Sequence, residues 1–237
     1  MLVFTRSIMS LQITGVDDVL EALKNGTDIE LVLVDRDEDC SEIRDLCLKR
    51  SIRVVEGSST DLWRMSANGQ QKALALVGRQ PEGTLEEVFS REGAIWLFDG
   101  VEYAPNLGFG IRTAEVSGAT AVIINVTKTH EERRTVRRAS MRAVRFIPVV
   151  YATTEEILAA CNRRIVVAED VGEKAPWDTD LTGDIMLVVG GENAGVSKEI
   201  LGAADDIVRL PMPGFVPSYN LQVAVSALAM ERLRQLD

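Results

Sequence analysis

Five side chains in this 237-residue sequence could together hold and activate a hydroxyl nucleophile: Asn106, Arg112, Glu192, Ser218 and Asn220. They fall in or beside three glycine-rich stretches. The first is Asn106-Leu107-Gly108-Phe109-Gly110-Ile111-Arg112. The second is Val189-Gly190-Gly191-Glu192-Asn193-Ala194-Gly195. The third, Leu210-Pro211-Met212-Pro213-Gly214, leads into Ser218-Tyr219-Asn220. Glycines between a strand and a helix let the backbone come close to a phosphate or ribose. A guanidinium is always charged and planar, and can stabilise an oxyanion as it develops. Each stretch alone is weak and has a plainer reading. Arg112 can be a surface residue, Glu192 a helix-start acid favoured by the dipole, Met212 a gap filler and Ser218 a helix N-cap.

Other chemistries are narrowed by what the sequence contains. A single histidine, His130, excludes a multi-histidine metal site and offers no recognisable Ser-His-Asp triad. Cys40, Cys47 and Cys161 make no Cys-x-x-Cys pair, which argues against zinc or a disulfide framework. No metal is therefore expected. The first ten residues are apolar in places, but Arg6 interrupts them and no cleavage pattern follows. The apolar runs are too short to span a bilayer, so the expectation is a soluble, cytoplasmic protein without a membrane partner.

The net charge of −10 argues against a general polyanion binder. Its distribution is uneven. Lys128, Arg133, Arg134, Arg137, Arg138, Arg142 and Arg145 oppose only Glu131 and Glu132 across 128–145, a local balance of 7 − 2 = +5. Arg134, Arg138, Arg142 and Arg145 are spaced 4, 4 and 3, which predicts one basic helical face for RNA phosphates. The plainer reading is a solvated charged face.

These residues need a scaffold, and hydrophobic periodicity supplies one. Val16, Val19, Leu20 and Leu23 suggest a helix, followed by a strand at 29–34. A second helix carries Ile43, Leu46, Cys47 and Leu48, with further strands at 52–55 and 73–77. This predicts a small α/β unit over 1–80. Pro81, Gly83 and several charges suggest a linker over 81–93. A second alternation over 94–237 places strands at 94–98, 121–126, 146–151, 165–168, 185–189 and 207–210. Their continuous apolar character suits a parallel sheet covered on both faces. A final helix over about 221–236 carries Leu221, Val225, Leu228 and Leu233 along one stripe.

The three stretches, in this order and within this alternation, resemble the signature motifs of the SpoU/TrmH family of the SPOUT superfamily. That family comprises RNA ribose 2′-O-methyltransferases using S-adenosylmethionine. The resemblance is close from about 94 onward and looser before. It implies a C-terminal domain with a deep trefoil knot, which periodicity could not reveal. It also implies a small N-terminal α/β RNA-binding domain resembling a ribosomal protein, and a homodimer. Asn106, Arg112, Glu192, Ser218 and Asn220 then carry catalysis. Gly190, Gly191, Gly195, Leu210, Met212 and Tyr219 cradle the cofactor, and Arg134, Arg138, Arg142 and Arg145 hold RNA.

Several positions depart from the family pattern. Phe109 and Gly110 stand where small or aliphatic residues are commoner, and Gly191 where serine or alanine is frequent. Arg142 stands where glycine is common, Tyr219 where leucine is usual, and Pro217 replaces a polar residue. A separate N-terminal domain favours ribosomal over transfer RNA as substrate. A catalytically weak RNA-binding module of the same fold is the alternative. A dinucleotide enzyme would need a Gly-x-Gly-x-x-Gly turn after its first strand, and none is present.

Overall fold

The computed structural model describes residues 11–66, 68–69, 71–77, 82–216 and 218–237. Met1 to Ser10, where no signal segment is expected, and Pro217 lie outside them. The chain divides into two compact units, 1–81 and 82–237.

In the first unit β1 (Leu11–Thr14), α1 (Val16–Lys24), β2 (Ile29–Asp35), α2 (Ser41–Lys49), β3 (Arg53–Gly57), α3 (Ser59–Met65) and β4 (Ala73–Val77) follow in order. The sheet runs β1-β4-β2-β3, with β2 and β3 parallel and β4 antiparallel to both its neighbours. Val19, Leu23, Val32, Val34, Ile43 and Cys47 meet in one core. Helices α1 and α2 therefore turn their apolar stripes onto the same face of the sheet. Burial raises the Cys40 and Cys47 thiols above their usual range, which suits packing rather than reactivity.

The second unit opens with α4 (Leu85–Phe89), not with a linker. Thr84 accepts from Glu87 N while Glu87 accepts from Thr84 N, and this capping box starts the helix. Val88 and Phe89 are buried, and the Arg163 guanidinium binds the carbonyls of Phe89, Arg91 and Gly93. The expected linker over 81–93 is thus corrected: its residues from 82 onward are part of the second unit.

There follow β5 (Ala94–Asp99), α5 (Ala104–Val116), β6 (Ala121–Asn125), α6 (His130–Ala139), a 3-10 turn (Ala143–Arg145) and β7 (Val149–Tyr151). Next come α7 (Thr154–Ala160), β8 (Arg164–Ala168), a second 3-10 turn (Pro176–Asp178), β9 (Ile185–Gly190), α8 (Lys198–Gly202), β10 (Asp206–Val208) and α9 (Leu221–Leu236). The six strands form one sheet in the order β10-β8-β9-β5-β6-β7, every pairing parallel. Alternation along β5 sends Trp96 and Phe98 to a core shared with α5, α6 and α9, and Ile95 and Leu97 to one shared with α4, α7 and α8. Both faces are covered, as continuous apolar strands require.

The stripe on α9 points inward. Leu221, Val225 and Leu228 sit in the chain's own core, Leu228 only 1% exposed.

Candidate active site

All three glycine-rich stretches lie at or just past the C-terminal ends of strands, where an open parallel sheet leaves its crevice. The first stretch is not a loop but the body of α5. Its glycines serve close packing. A Cβ at Gly108 would come within 2.5 Å of Ala139 Cβ, and one at Gly110 within 2.6 Å of the Phe98 ring. The large Phe98 side chain thus fills the space a side chain at 110 would take. Phe109 points outward and leaves the core undisturbed.

Asn106 is 7% exposed, and its Nδ2 donates to Glu192 Oε1 at 2.5 Å. This bond joins the first and second stretches. A carboxylate only accepts, so it selects the nitrogen side of the amide and fixes the orientation of the group. Arg112, six residues further along α5, is exposed and makes no hydrogen bond or ion pair with another described residue. An uncompensated guanidinium two turns from a buried, oriented amide is suited to an anionic partner.

The second stretch is tighter than expected. A Cβ at Gly190 would lie 2.2 Å from the Gly195 carbonyl carbon, and one at Gly191 2.2 Å from Gly100 O. The room these glycines create is taken up by the chain itself, as loop 191–197 folds back on β9. Gly195 N donates to Gly191 O at 3.0 Å, and Gly195 adopts φ 66°, a left-handed conformation that favours glycine.

The third stretch is open. Leu210 and Met212 are half-buried, and a Cβ at Gly214 would meet nothing within 4 Å. Tyr219 Oη donates to Pro211 O at 2.8 Å and ties the loop across its base. Asn220, rather than Ser218, caps α9: its Oδ1 accepts from Gln222 N at 2.9 Å. Ser218 is exposed.

The basic face is shorter than the spacing predicted. Helix α6 ends at Ala139, and Met141 and Arg142 adopt φ 49° and 70° before the 3-10 turn that contains Arg145. Arg134 and Arg138, with Arg137, are exposed on α6, whereas Arg142 and Arg145 are half-buried beyond the break. Left-handed φ at 142 also gives a physical reason for the family's glycine there. Lys128 leaves the patch altogether: it is buried, and its Nζ bonds Glu102 O. Arg133 stacks over the Tyr151 ring at 4.4 Å, and burial raises the Tyr151 hydroxyl above its usual range.

Among the described residues no group of three or more His, Cys, Asp or Glu is placed to hold a metal. Likewise no helix among them is long and apolar enough to cross a membrane.

With this geometry in hand, comparison with known proteins is specific. The SpoU rRNA Methylase family profile matches residues 94–230. A 23S rRNA (guanosine-2′-O-)-methyltransferase RlmB of Xanthomonas campestris is 28% identical over 94% of this chain and 96% of its own length. The protein of the same name from Pseudomonas aeruginosa is 35% identical over 65% of each. Among solved structures, an AdoMet-bound rRNA methyltransferase from Sinorhizobium meliloti superposes with a TM-score of 0.62 at 25% identity, covering 96% of this chain and 88% of that one.

Proposed function

Because the chain belongs to the SpoU rRNA Methylase family, we propose that it transfers a methyl group from S-adenosylmethionine to a ribose 2′-hydroxyl of ribosomal RNA. The observation that carries this reading is the Asn106–Glu192 hydrogen bond, which couples the first two motifs across 86 residues of sequence. S-adenosylmethionine, when bound, supplies an already activated methyl on a sulfonium, so no metal is called for. The residues present fit it: Leu210 and Met212 offer half-buried apolar contacts, and Gly214 leaves space beside the backbone. Gly190, Gly191 and Gly195 contribute through the path they permit the main chain, and Tyr219 through the loop it closes.

Glu192 holds the nitrogen of Asn106, which leaves the amide oxygen to accept the ribose hydroxyl. Arg112 is assigned stabilisation of the oxyanion as the proton leaves, an electrostatic role that needs no neutral arginine. Ser218 and Asn220 face the target nucleotide in this reading, with Asn220 held by its capping bond.

We extend the proposal to a trefoil knot. Gly191 against Gly100, and Gly172 against the main chain of residues 207–209, bring together distant segments that such a knot would thread. The cytoplasm, where ribosomal RNA is found, is the proposed location. The first unit is proposed to select the RNA. Across 11–77 it carries 8 Lys and Arg against 13 Asp and Glu, a balance of 8 − 13 = −5. Phosphate attraction therefore falls to α6, and the first unit is left to act by shape.

Methyl transfer from radiolabelled S-adenosylmethionine to deproteinised ribosomal and transfer RNA tests the reading, with the product nucleoside identified by mass spectrometry. A 2′-O-methylnucleoside from ribosomal RNA is the expected result. Base methylation or no incorporation overturns it, and preference for transfer RNA overturns the substrate class. In binding assays, Arg134→Glu with Arg138→Glu should lower the slope of log K against log salt by about 0.7 to 0.9 for each phosphate that is no longer neutralised. An unchanged slope would mark this face as merely solvated.

A homodimer is proposed as the working form. The stripe through Leu228 is already buried within the chain, so the surface on offer is a different one. Phe109 and Val116 on α5, and Val223 and Met230 on α9, are exposed on two helices that pack together. Met230→Glu should yield a folded monomer with depressed activity. Leu228→Glu should instead lower stability by about 3 kcal/mol or more, because it places a carboxylate in a filled core. Sedimentation and thermal melting separate the two, and a fully active Met230→Glu monomer would discard the dimer requirement.

A further inference from the structure

Glu192 lies on loop 191–197, so whatever fixes that loop fixes the acceptor for Asn106. One residue grips both of its ends. Asp99, the last residue of β5, is 2% exposed. Its main-chain oxygen accepts from Gly191 N at 2.9 Å, and its Oδ2 accepts from Ser197 N at 2.6 Å. Its other carboxylate oxygen, Oδ1, accepts from Asn125 Nδ2 at 2.5 Å at the end of β6. The same Asn125 nitrogen donates to Thr154 Oγ1 at 2.8 Å, at the start of α7. A second carboxylate acts beside it: Glu169 Oε1, just past β8, accepts from Val196 N at 2.6 Å. Two consecutive loop amides, 196 and 197, thus each end on a carboxylate from a neighbouring strand end.

Burying a carboxylate is costly unless hydrogen bonds compensate. Here both Asp99 oxygens are engaged, and neither bond is needed to form the sheet, since β5 is already paired on both sides. The Oδ2 bond secures the loop, and the Oδ1 bond holds the carboxylate in place for it. A displacement of about 1 Å at a reacting group can cost about 100-fold in rate. Loss of the Ser197 bond would release the far end of the loop and free Glu192 to move by that much.

We propose that Asp99 is a positioning residue for methyl transfer: it holds loop 191–197 so that Glu192 meets Asn106, and Asn125 orients the Asp99 carboxylate for that task. The proposal rests on the reading of Glu192 as part of the methyl-transfer site.

The bonding scheme supplies its own test. Asp99→Ala removes the acceptor for Ser197 N altogether. In Asp99→Asn the amide oxygen can still accept from Ser197 N, while Asn125 turns its amide to accept from the new nitrogen and the Thr154 hydroxyl turns to donate. Turnover of Asp99→Ala should fall about 10- to 100-fold, with S-adenosylmethionine affinity by calorimetry held within about threefold. Amide hydrogen exchange across 191–197 should quicken in the same variant without cofactor or RNA. Asp99→Asn should return both towards wild type.

Wild-type turnover and exchange in a folded Asp99→Ala would overturn the proposal, as would a folded Asp99→Asn no better than Asp99→Ala. Should Asp99→Ala fail to fold, Asn125→Ala decides: it keeps the Asp99 carboxylate but removes what orients it, so lowered turnover with quickened exchange across 191–197 supports the proposal and wild-type values overturn it. An inactive wild-type protein overturns the reading of the site. An active wild type with an unaffected Asp99→Ala variant overturns the positioning role alone.

Discussion

Arg112→Ala is expected to lower methyl-transfer turnover by about 100- to 1000-fold while S-adenosylmethionine binding stays within a few-fold of wild type. The expectation follows from where the residue sits. Arg112 is exposed on α5 and unpaired with any described residue, whereas the cofactor contacts are assigned to the loops after β9 and β10. In the proposed reading its charge acts on the hydroxyl and the neighbouring phosphate, so its removal should register in the chemical step rather than in cofactor affinity. Arg112→Lys keeps the charge but not the planar fork, and should recover only part of the rate. Single-turnover kinetics with calorimetric titration of the cofactor separate the two effects. Near-normal turnover in Arg112→Ala would remove this residue from the mechanism.

Gly191→Ala is the second substitution with a large expected effect. Family resemblance alone makes alanine a mild change at this position. In this chain a Cβ there would lie 2.2 Å from Gly100 O and 2.8 Å from the Gly100 carbonyl carbon. Both are backbone atoms, so no side chain can swing aside, and the loop itself must shift. Overpacking of this kind costs about 1–3 kcal/mol. The displaced loop carries Glu192 away from Asn106, so turnover should fall by at least about 10-fold. Thermal melting reads the first effect and steady-state kinetics the second. Wild-type rates in Gly191→Ala would mean that the crossing of loop and strand end relaxes without moving Glu192.

The strands of the second unit are legible in the sequence because buried parallel strands leave continuous apolar runs. Their ends are less so. The run at 146–151 becomes a strand only from Val149, since a 3-10 turn closes at Arg145 and Pro148 has no N–H to give. Helix α4 is hidden by the turn residues before it, although Thr84 and Glu87 carry a capping signal three residues apart. Spacing of 4, 4 and 3 puts four arginines on one face only if the helix is unbroken. The left-handed residues Met141 and Arg142 break it, and non-glycine residues give little sequence warning of such a conformation. The stripe on α9 is apolar as its spacing indicates, yet periodicity says that a face is buried and not against what.

The candidate site residues are legible as motifs, and the hydrogen bond between Asn106 and Glu192 is seen in the fold. Asp99, Asn125 and Glu169 carry no such signal. Each looks like an ordinary polar residue at a strand end, and only the three-dimensional path of loop 191–197 gives them a common target.

That path also sets the order in which the protein can become an enzyme. Strand β5 lies at the centre of the sheet, but one of its partners is β9, and Asn106 waits 86 residues for Glu192. Contacts so distant in sequence form only after the loop-closure entropy of the intervening chain has been overcome, which slows folding. During synthesis the emerging chain exposes the apolar edge of β5 until β9 has been made. The core face beneath α9 stays open until the last helix, Leu221–Leu236, arrives. Between the synthesis of β5 and that of α9, a nascent chain therefore carries uncovered apolar surface and no assembled pocket, the condition under which intermediates of large domains are prone to aggregate.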